Sequence, residues 1–296
     1  MVTNTAMIIA MATGTQMTMS SGGPVRGDDA GNAATAGGGA AMANGGAAEL
    51  LLMQITDSTF PIGAYAHSYG LETYVQRGIV HDDATAERYV AAQLAGPLPY
   101  LELLGMRLAY ERVHVDAGDA LADRSEGACE REAASGHQLA GRIDQLAALD
   151  ERVLALKGPA ELRSASERLG ARFCRLAGTL LEGSAAEAFA RYADRPGAHA
   201  VNVAYGAFAA AAGIPLAPLM RRYLYSQVSA VVTTLVKAVP LRQTSGQRIL
   251  RQSFSAQDVA LDRACRARAD DLGRSAPGFD IRSIEHESLY SRLYMS

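Results

Sequence analysis

Residues 215–250 read PLAPLMRRYLYSQVSAVVTTLVKAVPLRQTSGQRIL, and this stretch predicts the class of the fold. Apolar side chains recur in its first part at three- and four-residue steps, as one buried face of a helix requires: Leu224, Val228, Val231, Val232, Leu235 and Val239. Charge is nearly absent between Arg222 and Lys237. A helix with so little charge needs cover on several sides, so we expect it to be the central helix of a bundle.

Pro240 interrupts this pattern, because proline lacks a backbone N–H and disfavours the helical conformation for the preceding residue, Val239. A second helix can begin at once, since Thr244 and Gln247 fit a capping box in which Thr244 is the N-cap. Apolar residues at 249–250 turn this helix inward. We call this connection between the two helices the joint. From its chemistry alone, the joint is a capped turn.

The remaining chain divides by composition into four parts. Residues 1–48 are rich in Gly and Ala and have too little to bury, which predicts a disordered leader. Residues 49–275 carry helical patterns separated by turn signals, such as Asp82 or Asp83 as a helix cap, and no alternating strand. They predict one all-α domain, a bundle of about eight to ten helices. Within it, residues 116–137 predict a flexible acidic insert, and residues 276–296 form a C-terminal tail.

Charge and cysteine usage exclude several classes of protein. A net charge of −3 gives no strong field for nucleic acid or a membrane surface. No stretch approaches the roughly 20 apolar residues of a membrane span, and no basic residue precedes Arg26, so a secretory signal is not predicted. The three cysteines, Cys129, Cys174 and Cys265, form no C-x-x-C pair, which suits a reducing compartment. We therefore expect a cytoplasmic protein with no nucleic-acid or membrane partner.

The sequence holds no motif for catalysis or for tight binding of a cofactor. It lacks the phosphate-binding loop of nucleotide-binding proteins, the nucleophile elbow of hydrolases and the H-E-x-x-H of zinc proteases. One Glu-x-x-His motif occurs, at Glu111 and His114, whereas a di-iron bundle needs two such motifs. We therefore expect no enzyme and no resident metal. A small helical metalloenzyme that uses Glu111 and His114 is the rival interpretation.

The C-terminal tail is unusually apolar for a chain end. It follows a break at Pro277 and Gly278, and its end carries Ile284, Leu289, Tyr290, Leu293, Tyr294 and Met295. In a helix, His286 and Tyr290 would share a face with Leu293. Such anchors on a mobile tail suit docking into a partner's groove, whereas they also suit a tail that folds back on its own bundle. Both interpretations stay open.

Three separated segments together resemble the urease accessory protein UreF family. The first, FPIGAYAHSYGLETYVQRGIV, runs from Phe60 to Val80, and the second, KAVPLRQTSGQRIL, from Lys237 to Leu250. The third, IEHESLYSRLYMS, runs from Ile284 to Ser296. Their order and spacing match as well, and the resemblance spans about Leu50 to Ser296. The leader and the acidic insert look longer than the family usually carries, but neither touches a motif.

The resemblance implies a metallochaperone scaffold for urease maturation, not an enzyme. Family members are all-α and dimeric, bind the accessory protein UreD (also called UreH) and recruit the GTPase UreG. The assembly docks on apo-urease and assists insertion of nickel, which passes in transit and is not tightly bound. A path for the ion through the UreF–UreD complex has been proposed for the family.

The resemblance also implies which residues contact partners. In the tail these are His286, Glu287, Tyr290, Ser291, Arg292 and Leu293. The first segment contributes Glu72, beside the matching Pro61, Gly63, Ser68, Gly70 and Leu71. The joint contributes Gln243 and Gln247, beside Thr244 and Gly246. A further interpretation is a GTPase-activating protein that inserts an arginine into a partner GTPase, with Arg242, Arg248 or Arg292 as the candidates.

Overall fold

The computed structural model describes residues 36–64, 70–114, 128–274 and 277–290. The side chains of residues 36–45, 114 and 128–140 lie outside this description. The chain divides into two compact units, residues 1–41 and 42–296. Of the first unit, only the beginning of one helix, residues 36–41, is described, and everything that follows concerns the second.

The described residues form helices and no strand. The α-helices are α1 (Ala36–Thr56), α2 (Leu71–Gln76), α3 (Asp83–Ala95), α4 (Leu104–His114), α5 (Ala128–Leu156), α6 (Ala160–Gly178), α7 (Gly183–Ala193), α8 (Val201–Ala211), α9 (Leu216–Ala238), α10 (Gln243–Gln252), α11 (Phe254–Arg266) and α12 (Pro277–His286). A π-helical segment, Leu98–Leu103, precedes α4, and a 3₁₀ turn, Ala269–Asp271, follows α11. The predicted all-α bundle is confirmed. In the described part of the chain, no helix is both long and apolar enough to cross a membrane.

The predicted domain boundaries are only partly covered by this description. Helix α1 begins at Ala36, within the segment assigned to the leader, and residues 1–35 lie outside the described residues. Residues 116–127 of the acidic insert also lie outside them, and α5 begins at Ala128. The limits of the leader, the insert and the tail stay predictions.

The helix that is covered on all sides is α8, so the prediction that α9 is the central helix is wrong. Residues 201–209 are all buried, whereas α9 keeps an exposed face that includes Arg221, Tyr225 and Thr233. Small side chains let neighbouring helices pack close to α8. A Cβ at Gly206, for example, would collide with the carbonyl of Met106 in α4. Tyr225 and Thr233 are uncharged and yet exposed, so scarcity of charge did not mean burial.

The joint after α9 confirms the break at Pro240 but not the capping box. Helix α9 ends at Ala238, and α10 begins at Gln243 with Arg242 as its N-cap and no side-chain cap hydrogen bond. Packing sets this start, because a Cβ at Gly246 would lie only 2.5 Å from Val236 Cγ2 of α9. Helix α10 ends at Gln252, and Ser253, whose hydroxyl donates to the Leu250 carbonyl at 2.7 Å, separates it from α11.

A buried polar cluster fixes the start of α8. Asp150 of α5 is fully buried and accepts hydrogen bonds from the Ala200 N–H at 2.6 Å, the Tyr192 hydroxyl at 3.0 Å and the Arg195 guanidinium. Burial raises the pKa of Asp150 to about 6, although the Ala200 and Arg195 donors lower it. Burial also lowers the pKa of the neighbouring His199 to about 4. At neutral pH the ionised carboxylate therefore ties α5 to the loop before α8.

Candidate partner-binding site at the C-terminal helix

Helix α12 folds back onto the bundle and packs against α2 and α6. Its ten residues are too few for a stable isolated helix, so its order depends on these tertiary contacts. Of the two interpretations of the tail, the folded-back one describes residues 277–286, which form α12. Residues 291–296, which include the predicted contacts Ser291, Arg292 and Leu293, lie outside the described residues.

Gly70, at the start of α2, brings the first segment of the resemblance into direct contact with α12. Its φ of 78° lies in the left-handed region, which side chains with a Cβ rarely adopt. A Cβ at this position would also collide with Ser283 Oγ and lie 3.1 Å from Ser283 Cα. Glycine is therefore needed twice, for the turn and for the approach of α12.

His286, the last residue of α12, lies between two carboxylates. Its side chain is 0% exposed; its Nε2 lies 3.0 Å from Oε2 of Glu72 in α2, and its Nδ1 lies 2.8 Å from Oε2 of Glu161 in α6. A carboxylate only accepts hydrogen bonds, and a neutral imidazole donates from one nitrogen. Both contacts can be hydrogen bonds at the same time only when the imidazole and the two carboxyl groups together carry two dissociable protons. The sequence-predicted His286 and Glu72 therefore bind each other inside this chain.

Further contacts hold the two ends of α12. The ring of Phe279 packs against Tyr74, at 5.7 Å between ring centroids, and against Tyr89, at 5.5 Å. Near the other end, Glu285 pairs with Arg77 at 2.8 Å and with Arg282 at 2.6 Å. The apolar contact therefore holds the N-terminal end of α12, and the ion pairs lie next to His286 at the other end.

Beyond His286 the chain turns outward. Glu287 is exposed, and Tyr290 is wholly exposed, at 106% of its reference area. On α12 itself, Ile281 and Ile284 remain about half exposed, on the side away from Ser283 and His286. The predicted tail contacts thus separate into an interior residue, His286, and surface residues, Glu287 and Tyr290.

Comparison with known proteins gives the family. A model of the UreF family matches residues 80–254, more than half of the chain. The urease accessory protein UreF of Paenarthrobacter aurescens (strain TC1) is 31% identical over 250 residues, which cover 84% of this chain and 98% of that protein. The chain belongs to the UreF family. The urease accessory protein UreF of Arthrobacter sp. (strain FB24) is 32% identical over 251 residues, which cover 84% of this chain and 97% of that one.

In this UreF family member, the second segment of the resemblance presents its polar residues on α10. Gln243 and Gln247 are exposed there, as is Arg248, which pairs with Asp83 of α3 at 2.5 Å. Gly246 faces α9 instead and sets the close packing described above. The joint is therefore both a packed turn and an exposed polar surface.

The geometry of this UreF chain gives the acidic residues partners other than a metal ion. Glu72 and Glu161 meet opposite edges of the His286 ring, so the three groups do not converge on one ion. Glu111, the carboxylate of the rival metalloenzyme interpretation, pairs with Arg107 at 2.9 Å, and the His114 side chain lies outside the description. Among the side chains that are described, no group of three or more His, Cys, Asp or Glu could hold a metal ion.

Two adjoining cavities lie behind α12 and beside α9. The smaller, about 90 Å³, is lined by Phe279, Asp280 and Ser283 of α12 and by the buried ion pair of Lys157 and Glu102. The larger, about 560 Å³, lies between α9 and the segment that follows α1. The two share four lining residues: Leu169, Val201, Tyr223 and Gln227. The two cavities therefore adjoin between α12 and the end of α1.

Sequence reasoning missed two members of the α12 contact. Glu161 carried one local signal, since it lies in the first turn of α6, where acidic residues are favoured. Ser283 carried none, because only the approach of α12 to Gly70 gives it a role.

Proposed function

We propose that this chain is a scaffold metallochaperone of urease maturation, which binds UreD (UreH), recruits the GTPase UreG and assists nickel insertion into apo-urease. Membership of the UreF family and relatives named urease accessory protein support this role. One structural observation connects this role with particular residues. Two segments that are more than 200 positions apart meet at His286, and the chain beyond this contact turns to solvent.

The surface residues of the tail are the proposed contact with UreD. Tyr290 is a wholly exposed aromatic side chain, and exposed aromatic residues are enriched among those that dominate binding energy. Glu287 beside it is exposed as well, and Ser291, Arg292 and Leu293 continue the same segment. An exposed tail with such anchors supports docking into a groove of the partner.

The polar face of α10 is the proposed contact with UreG. Gln243, Gln247 and Arg248 share this face with Arg242 and Arg251, so it is rich in hydrogen-bond donors. Arginine and glutamine donors suit a partner that presents carboxylates. We assign nickel only to transit, for which the adjoining cavities and the Glu102 carboxylate offer a weakly binding route. The assembly is proposed to act in the cytoplasm.

Size-exclusion co-elution with purified UreD tests the proposal. We would compare the full chain with a chain that ends at Glu287, which keeps α12 and removes only the exposed tail. The full chain should co-elute and the shortened chain should not, with equal helicity by circular dichroism. In the full chain, Tyr290→Ala should weaken binding about tenfold or more, whereas Ser288→Ala should not. If the full chain fails to bind UreD, the assignment is wrong.

The same preparations test the two rival functions. A GTPase-activating protein would accelerate GTP hydrolysis by isolated UreG, and one Arg→Ala change at Arg242, Arg248 or Arg292 would abolish that effect. A metalloenzyme would retain iron or manganese in the purified chain. We expect neither acceleration by this chain alone nor a stoichiometric metal.

A further inference from the structure

We infer that Glu72, Glu161 and His286 are positioning residues for the tail, and that the two buried ones, Glu72 and His286, do not contact the partner themselves. We call these three side chains the His286 anchor. The anchor fixes the point at which the chain leaves the bundle, immediately before the exposed Glu287. This inference rests on the proposed function for the identity of the partner, UreD, but the geometry of the anchor is independent of it.

The first argument is burial. His286 has no exposed surface and Glu72 is 5% exposed, so a partner that lies against the folded chain reaches neither. The resemblance places both among the partner-binding residues, whereas the structure gives each of them an intramolecular contact. A role in binding without access to the partner means that they act through the segment they hold.

The second argument is the electrostatics of three helix ends. His286 is the last residue of α12, while Glu72 and Glu161 lie in the first turns of α2 and α6. An anion is favoured at a helix N-terminus, so both carboxylates suit the positions that they occupy. One ring that contacts both of them therefore joins three elements.

The third argument is register. Gly70 admits Ser283 at a distance that no residue with a Cβ allows, and Phe279 packs between Tyr74 and Tyr89. These contacts allow α12 little freedom to slide or rotate. The His286 anchor holds the C-terminal end of α12 in this position, one residue before the exposed Glu287. The tail therefore starts from a fixed point, which lowers the entropy that binding must otherwise remove.

Hydrogen–deuterium exchange and UreD titration on the full chain test the inference together. In His286→Ala, the amides of residues 280–286 should exchange at least about tenfold faster, while those of the buried helix α8 should be unchanged. UreD binding should weaken about tenfold or more, because the partner must then order α12 as well as the tail. The matched control is His81→Ala, which removes the same ring from an exposed position and should change neither quantity.

A second pair of variants separates hydrogen bonding from mere volume. In His286→Gln, the glutamine side chain has one donor group for two carboxylates, so the packing of α12 against the bundle should loosen. The double variant His286→Gln/Glu161→Gln restores a donor for each acceptor and should recover part of both the exchange protection and the UreD affinity. A purely space-filling role for His286 predicts no such recovery.

The outcomes are distinguishable from failure of the proposed function. If the unaltered chain does not bind UreD, the proposed function fails, and the exchange data still test the anchor. If the unaltered chain binds UreD and His286→Ala binds equally well, the positioning role is overturned while the proposed function stands. Exchange in residues 280–286 that does not change in His286→Ala would overturn the anchor itself.

Discussion

Two buried histidines, His199 and His286, have different roles because their neighbours differ. His286 meets two carboxylates at hydrogen-bonding distance, whereas His199 lies beside Asp150 with its Nδ1 3.9 Å from Asp150 Oδ2 and its Nε2 3.2 Å from the Ala193 carbonyl. Burial lowers the pKa of His199 to about 4 and raises that of Asp150 to about 6. Between about pH 4 and pH 6, folding therefore releases a proton from His199 and binds a proton to Asp150.

We predict that His199→Gln alters how stability depends on pH. Between about pH 4 and pH 6.5 the unfolded chain protonates His199 and the folded chain does not, so this residue makes stability rise with pH. The free energy of unfolding of the variant, relative to the unaltered chain, should therefore fall by up to about 3 kcal/mol across that range. Urea denaturation at several pH values measures it, with His81→Gln as an exposed control. A difference that is the same at every pH would contradict the prediction.

A second prediction at this scale concerns Gly70. Gly70→Ala should lower the free energy of unfolding by about 2–4 kcal/mol, because strain at φ 78° adds to the collision with Ser283. Gly78→Ala is the matched control, since Gly78 has a similar φ of 65° but open space around its Cβ. It should cost only about 1 kcal/mol in the same urea titration. Equal costs for the two variants would remove the argument for close approach of α12.

The residues of the candidate site were predictable from the sequence only where they belong to a segment that resembles the family. Glu72 and His286 came from the resemblance, which could not indicate that one binds the other. Glu161 and Ser283 were missed because their contacts arise from the approach of elements that are distant along the chain. Burial of His286 has the same origin, since nothing in the local sequence distinguishes it from an exposed tail residue.

Capping residues and proline predict the helix ends well where no tertiary contact competes with them. Asp82 caps α3 as expected, accepting from the Thr85 N–H at 2.8 Å, and Pro240 separates α9 from α10. Thr244 also fits a capping motif, yet α10 begins at Gln243 because Gly246 packs against α9. Where a tertiary contact competes with a cap, the contact prevails.

At the scale of elements, the same substitution should have opposite effects in two helices. Gly246→Ala should destabilise the chain by about 1–3 kcal/mol, since its Cβ would lie 2.5 Å from Val236 and push α10 from α9. Gly141→Ala in α5 meets open space and should stabilise by about 0.5–1 kcal/mol, because alanine favours helix. Thermal or urea unfolding of the two variants compares them. Stabilisation by Gly246→Ala would refute the proposed packing.

At the scale of the whole molecule, the described residues present an exposed aromatic surface that suits a second copy of the chain. Tyr225 of α9 and Phe254 of α11 are 41% and 39% exposed, their ring centroids lie 6.3 Å apart, and Arg251 lies over the Phe254 ring at 5.0 Å. Nearby, Arg221 and Asp258 pair with each other at 2.6 Å, so the edge of this surface carries both signs of charge. Tyrosine, phenylalanine and arginine are among the residues enriched at interfaces. Because the resemblance to the UreF family implies a homodimer, we propose that it forms here.

We predict that Phe254→Glu weakens dimerisation by about a hundredfold, because it places a charge in the apolar centre of this surface. Sedimentation equilibrium across a range of concentrations measures the change. Ser255→Glu, which adds the same charge at the adjacent exposed position, is the control and should have a much smaller effect. A dimer that Phe254→Glu leaves intact would place the second copy elsewhere.

The contact between His286 and Glu72 also governs when α12 can take its place during synthesis. The two residues are 214 positions apart, so the contact joins elements that are distant along the chain. Synthesis proceeds from the N-terminus, and Glu72 therefore has no counterpart until the chain has been made through residue 286. A chain that stops before His286 would lack both this contact and the segment that follows it. Helix α12 thus docks only after the other described helices have been synthesised.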